Sequence, residues 1–582
     1  MVEREESSHP QSATGPQRGT RAILPTILLL GLVLRLVWMV TQAHVISSDG
    51  GEYATMAEHL LHQHALIGTY EGPEILYAPL YPLLIAAVML VVPNSETAAH
   101  LVSLLSGTAL IAIVFLLAQR LYDRRSALIS AALVAVHPML IALSGSIYNE
   151  ALYLPMWMTM AYVGLRALAL QRVRDSLLLG LCIGLVYLIR VEAAAYVAFF
   201  AGALLTAGLL RKQTRIAGMH ALIMSVTFLV VASPYIYFFY THTHQVRLEA
   251  KWNINYTMAR NRLAGMNGIE ADWGLAHDLT IQGPLLEPFS FVDFTPYSHT
   301  LGEQVESVAA LVKHNAETVY HSLLDGLIGA PILWGLVIVG WCRRSWDNRR
   351  LKDEALWFAL VASIVAVTVT SATAEKRYVF PIVPVLLLWS GNGLRELTQW
   401  IMGWELTQNL RRVRLAWIAV VLPLSAAALM MGRSINAVQQ GYFSDGHSAE
   451  AAAARDAGLW LAKHEPKSKR IAVRLAVVPY YAKGTLIAFP YGDPEATLRH
   501  FARKEVDFIV LESAEVLVVP MVGEWLAHGI PDPRARLVYD KTSAPGVRVA
   551  IYKWSPELNP TVNLACTSDQ EGSCQEEPPP TG

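Results

Sequence analysis

The sequence predicts a mainly α-helical, polytopic membrane bundle of about eleven transmembrane helices, followed by a small extracytoplasmic α/β domain. Three observations predict it. The 582 residues are 53% hydrophobic and only 16% charged, whereas a soluble domain carries about 25% charged residues. The charge is gathered into short Arg-rich clusters between apolar runs of roughly 18 or more residues, long enough to cross a hydrocarbon core of about 30 Å. Beyond position 432 the pattern changes to amphipathic helices (SAEAAAARDAGLWLAKHEP and PEATLRHFARKE) alternating with β-branched strands (RIAVRLAVV, VDFIVLES, ARLVYD and VRVAIYKW).

Residues 1–21 are polar and read as a disordered cytoplasmic N-terminus. The apolar run that follows is longer than a signal-peptide core and ends without a small-residue cleavage site, so it reads as an uncleaved first span. Basic clusters mark cytoplasmic loops: Arg120, Arg124, Arg125; Arg166, Arg172, Arg174; Arg211, Lys212, Arg215; Arg343, Arg344, Arg349, Arg350, Lys352; and Arg411, Arg412, Arg414. The stretch Ala43–Thr97 holds no Lys or Arg but several carboxylates, and reads as an external loop. The apolar segment Pro79–Pro93 inside it is short and Pro-bounded. If it crossed, every later basic loop would lie outside, so it reads as lying against the outer interface.

The expected spans are 22–42, 98–118, 126–142, 151–170, 176–190, 192–210, 216–239, 322–341, 355–371, 379–392 and 415–431. The membrane domain is thus 22–431, with external loops 43–97 and 241–321. An extracytoplasmic α/β domain follows at 432–558, and 559–582 reads as a disordered tail. This makes the chain a multi-pass protein of a plasma (inner) membrane, with its N-terminus cytoplasmic and its C-terminal domain outside. A net charge of −1 leaves no basic footprint for nucleic acid. Of four cysteines, Cys182 and Cys342 lie in apolar runs and read as buried thiols; Cys566 and Cys574 in the tail are close enough in sequence for an extracytoplasmic disulfide.

No P-loop, dinucleotide fingerprint, zinc-protease helix or nucleophile elbow occurs in a credible context. The informative residues are polar groups at the outer ends of helices, where burial near the membrane is costly. Asp49, in HVISSDGGEYATMAEHLL, reads either as a helix cap or as a general base at the membrane boundary. Glu150 opens a helix, where its charge suits the dipole or serves catalysis. Arg190 and Glu192 form a local ion pair or a phosphate site. Lys376 and Arg377 stand on the outer side against the positive-inside trend; a guanidinium pairs well with phosphate, though such residues also snorkel to headgroups. His242, His244, Glu249 and Lys251 read as a solvated interfacial loop, because no third clear metal ligand accompanies the two histidines.

Four elements carry a family resemblance: D-x-x-E-Y-x-x-x-A from Asp49, with Glu52, Tyr53 and Ala57; Pro-Leu-Tyr-Pro at Pro79–Pro82; H-P-x(10)-N-E from His137 to Glu150; and R-Y-x-x-P-x-x-P from Arg377 to Pro384. In this order the chain resembles the GT-C glycosyltransferases, in the branch of the protein O-mannosyltransferases and the lipid A aminoarabinose transferase. The resemblance runs over roughly residues 22–400. It implies an inverting transfer of sugar from a polyprenyl- or dolichyl-phosphate carrier to a lipid, glycan or protein acceptor. Asp49 would be the base, with Glu52 and Glu150 as further catalytic candidates. Arg377, with Lys376 and Arg190, would hold the donor phosphate, and Tyr53, Tyr81 and Tyr378 are the candidate acceptor- and sugar-binding residues. The donor is a substrate, no cofactor is implied and a divalent metal is not expected. Protein O-mannosyltransferases carry adjacent Asp-Glu where this chain has Asp-Gly-Gly-Glu, which weakens the case for a protein acceptor. Other readings are a transporter or flippase of lipid-linked sugar, a membrane scaffold or sensor, and a glycan polymerase or ligase. Because no candidate group lies beyond 432, the C-terminal domain is expected to be dispensable for the chemical step.

Overall fold

The structure is a computed structural model that describes residues 22–41, 45–291, 331–343, 346–370, 376–402, 449–467 and 469–555, with scattered positions within 309–322 and 421–432. Its first part is helical: α1 (Ile23–Thr41), α2 (Ser48–Gln63), α3 (Leu80–Met89), α4 (Ser95–Leu121), α5 (Arg124–Val136), α6 (Pro138–Gly145), α7 (Glu150–Leu170), α8 (Val173–Tyr187), α9 (Ala195–Leu210), α10 (Thr214–Thr243), α11 (Lys251–Leu263), α12 (Gly268–Trp273), α13 (Pro331–Arg343), α14 (Asn348–Val369) and α15 (Ile382–Met402). A 3₁₀ turn, Val191–Ala194, leads into α9, and another, Lys376–Val379, precedes α15.

Among the described residues, four helical stretches are long and apolar enough to cross a membrane: Ile23–Thr41, Ser95–Leu121, Val191–Leu210 and Thr214–Thr243. The pair α5 and α6, bent by 56°, makes a fifth if taken as one span. Helices α7, α8, α14 and α15 lie over further expected spans, and α13 over the described part of 322–341. The expected span 415–431 lies almost wholly outside the described residues, as do both termini and the two tail cysteines. Helix α3 has 10 residues. At 1.5 Å per residue it reaches about 15 Å, half the hydrocarbon thickness.

The bend has a chemical cause. Pro138 has no N–H, so the Val134 carbonyl loses its helical donor. Arg35, fully buried in α1, supplies the missing donors. Its Nη2 donates to Val134 O (3.1 Å), its Nη1 to Ala135 O (3.1 Å) and Gly31 O (3.0 Å), and its Nε to Ser144 Oγ (3.0 Å). Gly107 of α4 makes room for this knot, because a Cβ there would stand 1.9 Å from Ser144 Oγ. The rest of α1 exposes Leu29, Leu30, Val33, Leu36, Val37 and Val40, an apolar face suited to lipid.

The C-terminal part contains α16 (Ala449–His464), β1 (Arg470–Val473), α17 (Val477–Ala482), β2 (Thr485–Ala488), α18 (Pro494–Arg503), β3 (Phe508–Glu512), α19 (Pro520–His528), β4 (Ala535–Ala544) and β5 (Val547–Trp554). The sheet order is β2-β1-β3-β5-β4, with β1 parallel to β2 and β3, and β5 antiparallel to β3 and β4. Side chains alternate across the sheet. Ile471, Val473 and Leu486 pack against α16 and α17; Ala472, Ile487 and Ile509 pack against α18 and α19. The expected α/β pattern is present. One detail differs: RIAVRLAVV reads as a single strand but turns into α17 after Val473, because Pro479 cannot donate within a sheet. Strand β2 and helix α19 have no counterpart in the sequence reading.

Candidate active site

Several helix ends meet on one side of the bundle. The Leu80 N–H at the start of α3 donates to Leu188 O just past α8 (2.8 Å), and Asn149 Nδ2, before α7, donates to Ile189 O (3.3 Å). This gathers the starts of α3 and α7 at the end of α8, and the Asp49–Arg377 pair adds the start of α2 and the turn before α15.

Asp49 stands in the first turn of α2 and is not its cap. Ser47 has that role, its side chain accepting from the Gly50 N–H. The Asp49 carboxylate accepts from Tyr77 OH on Oδ1 (2.8 Å) and pairs with Arg377 Nη1 through Oδ2. Burial opposes its charge, but Arg377 and the Tyr77 hydrogen bond outweigh that and hold the carboxyl below the usual carboxylate range. The two side chains remain 20% and 27% exposed, so the pair can be reached from solvent.

Arg377 also lies over the rings of Tyr148 (5.6 Å) and Tyr378 (5.8 Å). Arg190 takes the other side of the Tyr378 neighbourhood, 5.1 Å from that ring and 5.4 Å from the Tyr153 ring. Such spacings are within reach of cation–π attraction. The expected local ion pair of Arg190 with Glu192 exists (3.7 Å), but Arg190 is closer to Glu150 Oε1 (3.3 Å) across forty residues of sequence. Lys376 contributes its backbone to the 3₁₀ turn; its side chain lies outside the described residues.

Beside this cluster is a cavity of about 100 Å³. Arg190, Glu192, Lys251, Asn255, Tyr153 and Tyr378 line its polar end, and Phe199, Ile364 and Val367 its apolar wall. A cationic end joined to an apolar wall suits a lipid phosphate. Lys251, at the start of α11, belongs to the polar end, whereas the sequence reads it only as part of an interfacial loop. Nothing in the sequence sets it apart from Arg247, Arg260 and Arg262 of the same external loop.

The other expected residues divide. Tyr53 is buried at 5.1 Å from both Tyr77 and Tyr81, and burial together with the charges of Asp49 and Glu150 pushes its phenol up. Tyr81 spends its hydroxyl on Ser103 (2.8 Å) and supports the Tyr53 ring. Glu52 makes its hydrogen bonds elsewhere than to the Asp49–Arg377 pair. It accepts from Thr69 N–H (2.9 Å) and Thr69 Oγ1, and it shares a hydrogen bond with Glu74. Glu74 in turn accepts from the N–H groups of Leu76 (2.6 Å) and Tyr77 (3.0 Å), which orders the segment that carries Tyr77. His242 donates Nδ1–H to the Phe238 carbonyl (2.8 Å). Among the described residues, no three His, Cys, Asp or Glu side chains are grouped to hold a metal ion.

The fold recurs in solved structures. ArnT from Cupriavidus metallidurans, in the apo state, superposes over 92% of this chain and 99% of its own at a TM-score of 0.55 and 13% identity. Its form bound to undecaprenyl phosphate gives a TM-score of 0.53, with 92% and 98% covered at 13% identity. The oligosaccharyltransferase AglB from Archaeoglobus fulgidus, in complex with an inhibitory peptide and a dolichol-phosphate, covers 94% of this chain and 75% of its own at a TM-score of 0.55 and 13% identity. At this identity the likeness is one of fold. In sequence, residues 77–238 match the family described as dolichyl-phosphate-mannose-protein mannosyltransferase. No curated protein matches the chain in sequence.

Proposed function

We propose that this glycosyltransferase takes its sugar from a polyprenyl-phosphate carrier and passes it to an acceptor hydroxyl on the extracytoplasmic side, with Asp49 as base. The observation that carries the proposal is the Asp49–Arg377 pair beside a cavity with a cationic end and an apolar wall. The bound undecaprenyl phosphate and dolichol-phosphate of the structural relatives support a carrier of that chemistry here.

In the reaction, the acceptor O–H gives its proton to Asp49 as its oxygen bonds to the anomeric carbon. The bond from that carbon to the phosphate oxygen breaks, and the electron pair leaves with the phosphate. The anomeric centre inverts. The leaving group is an anion, so it needs cations more than a proton; Arg377, Arg190 and Lys251 supply them. Arg377 has two anionic partners in turn. Before the donor binds it neutralises Asp49. When a phosphate draws it away, Asp49 loses the contact that lowers its pKa and becomes a stronger base.

The charge pattern supports about eleven spans with the N-terminus inside and the C-terminal domain outside, so that this chemistry would take place on the outer face. The test is transfer of labelled sugar by purified protein in lipid vesicles containing the cell's own lipid-linked sugars. Label should appear on an acceptor, accompanied by free carrier phosphate. Movement of intact lipid-linked sugar across the bilayer, without bond cleavage, would instead make the chain a flippase.

A further inference from the structure

The C-terminal domain holds the external segment that carries Asp49. Ala476 N–H, in the turn after β1, donates to Ser48 Oγ (3.1 Å), directly before Asp49. Two residues after Asp49, in the same turn of α2, Gly51 lies against Ala476 as well: a Cβ at Gly51 would stand 3.2 Å from Ala476 O and 3.4 Å from Tyr480 Cβ. The Tyr481 hydroxyl accepts from Ile46 N–H (3.3 Å) and donates to Glu96 (3.2 Å). Tyr480 OH meets Ser95 Oγ (3.0 Å), and Lys483 Nζ meets Glu58 (2.7 Å). Strand β2 extends the hold, because Leu486 N–H donates to Thr69 O (2.7 Å).

We propose that the turn Ala476–Tyr481 of the C-terminal domain is a positioning element for Asp49, which fixes the start of α2 from both sides of that residue. The proposal rests on the reading of Asp49 as the base. It gives the Asp-Gly-Gly-Glu spacing a physical reason: a side chain at 51 meets the backbone of the turn. It also replaces the expectation that this domain is dispensable for the chemical step.

The test compares Ser48→Ala, Ser48→Thr, Tyr481→Phe, Gly51→Val and Asp49→Asn in the full-length protein. Amide exchange over residues 46–53 reads the hold itself. Product formation by membranes with equal protein content, supplied with their own donor and acceptor, reads its consequence. Binding of undecaprenyl phosphate to the purified proteins reads the donor site. Ser48→Ala and Tyr481→Phe should speed exchange over 46–53 and slow product formation roughly tenfold, as a misplaced reacting group does. Ser48→Thr keeps the hydroxyl and should restore both. Undecaprenyl phosphate affinity of the variants at 48, 51 and 481 should stay within about twofold, since the cavity lies apart from the turn. Unchanged exchange over 46–53, or wild-type product formation by Ser48→Ala, Tyr481→Phe and Gly51→Val alike, would overturn the proposal. Normal product formation by Asp49→Asn would overturn the base assignment and, with it, the catalytic meaning of the hold, while the exchange result would still decide whether the hold exists.

Discussion

Asp49 and Ser47 divide two tasks that one polar residue at a helix start usually combines. Ser47 satisfies the end of α2, so Asp49→Asn leaves the cap intact and should insert and fold normally. The carboxamide takes no proton at neutral pH, and transfer should fall roughly 10²–10⁴-fold, read as product formed per folded molecule; near-normal turnover would refute the base assignment. Glu52 predicts a different outcome. Burial, then the neighbouring Glu74, holds its pKa well above the ordinary carboxylate range, so the pair keeps a proton. A carboxyl whose folded pKa is raised stabilises the fold most in acid and loses that contribution as pH rises from the ordinary range through the raised value. Glu52→Gln donates to Glu74 at any pH and still accepts from Thr69. It should retain most transfer and flatten the fall of thermal stability as pH rises above the ordinary carboxylate range, measured by unfolding scans in detergent. The sequence placed Asp49, Arg377, Arg190 and Glu150 at the outer helix ends, where their cost implied a use. It did not reveal their partners, because the Arg190–Glu150 and Arg377–Asp49 pairs each join residues far apart in the chain. Tyr77 and Tyr148 were hidden for the same reason: an aromatic beside a proline or a helix start looks like packing until its hydroxyl or face meets a charge.

At the level of elements, the cavity between the Val191–Ala194 turn, α11 and α14 separates binding from base chemistry. Arg190→Ala and Lys251→Ala should each weaken undecaprenyl phosphate binding roughly tenfold, by removing a charge-assisted contact. Binding to vesicles or nanodiscs would measure it, and unchanged affinity in both would remove the cavity from the donor site. The α5–α6 break makes another prediction. Arg35→Leu is apolar and suits a span, yet it leaves Val134 and Ala135 carbonyls without the donors they have now. An unsatisfied backbone group in hydrocarbon costs several kcal/mol, so the yield of monodisperse protein should fall steeply while activity per folded molecule changes little. A normal yield would show that other donors replace the guanidinium. The helices were legible as apolar runs, but this bend was not. His137–Pro138 lay within a recognised motif, and only the fold shows that the arginine meeting it comes from the first helix.

For the whole molecule, the sidedness read from charge predicts that Arg124→Cys is protected from impermeant thiol reagents and that Glu495→Cys, on the C-terminal domain, is labelled from outside. Labelling of position 124 from outside would invert the arrangement and make the Pro79–Pro93 segment a crossing one. The 10-residue length of α3 favours the first outcome. The α/β character of the last part was visible because strand and helix periods differ. Its attachment to the first external segment was not, since those contacts are single hydrogen bonds between residues about four hundred positions apart, such as Ala476 with Ser48.

The buried Arg35 has a consequence for biosynthesis. Its partners at Val134 and Ala135 follow it by about a hundred residues, which at roughly 5–20 residues per second are made some 5–20 s later. Until then the first helix carries a charge at membrane depth with only Gly31 O, one turn back, to receive it. An arginine at a helix centre costs about 2.5–3.5 kcal/mol on insertion. The surrounding Leu, Val and Ile residues offset this, but the isolated helix is left less firmly held than its apolar length suggests. A chain truncated after Thr41 and extended by a polar spacer should therefore insert its first helix less completely than one truncated after Leu170 with the same spacer, and Arg35→Leu should remove the difference. The first helix is in this sense completed by the fifth and sixth helices to emerge, so the order of synthesis and the order of membrane commitment are not the same.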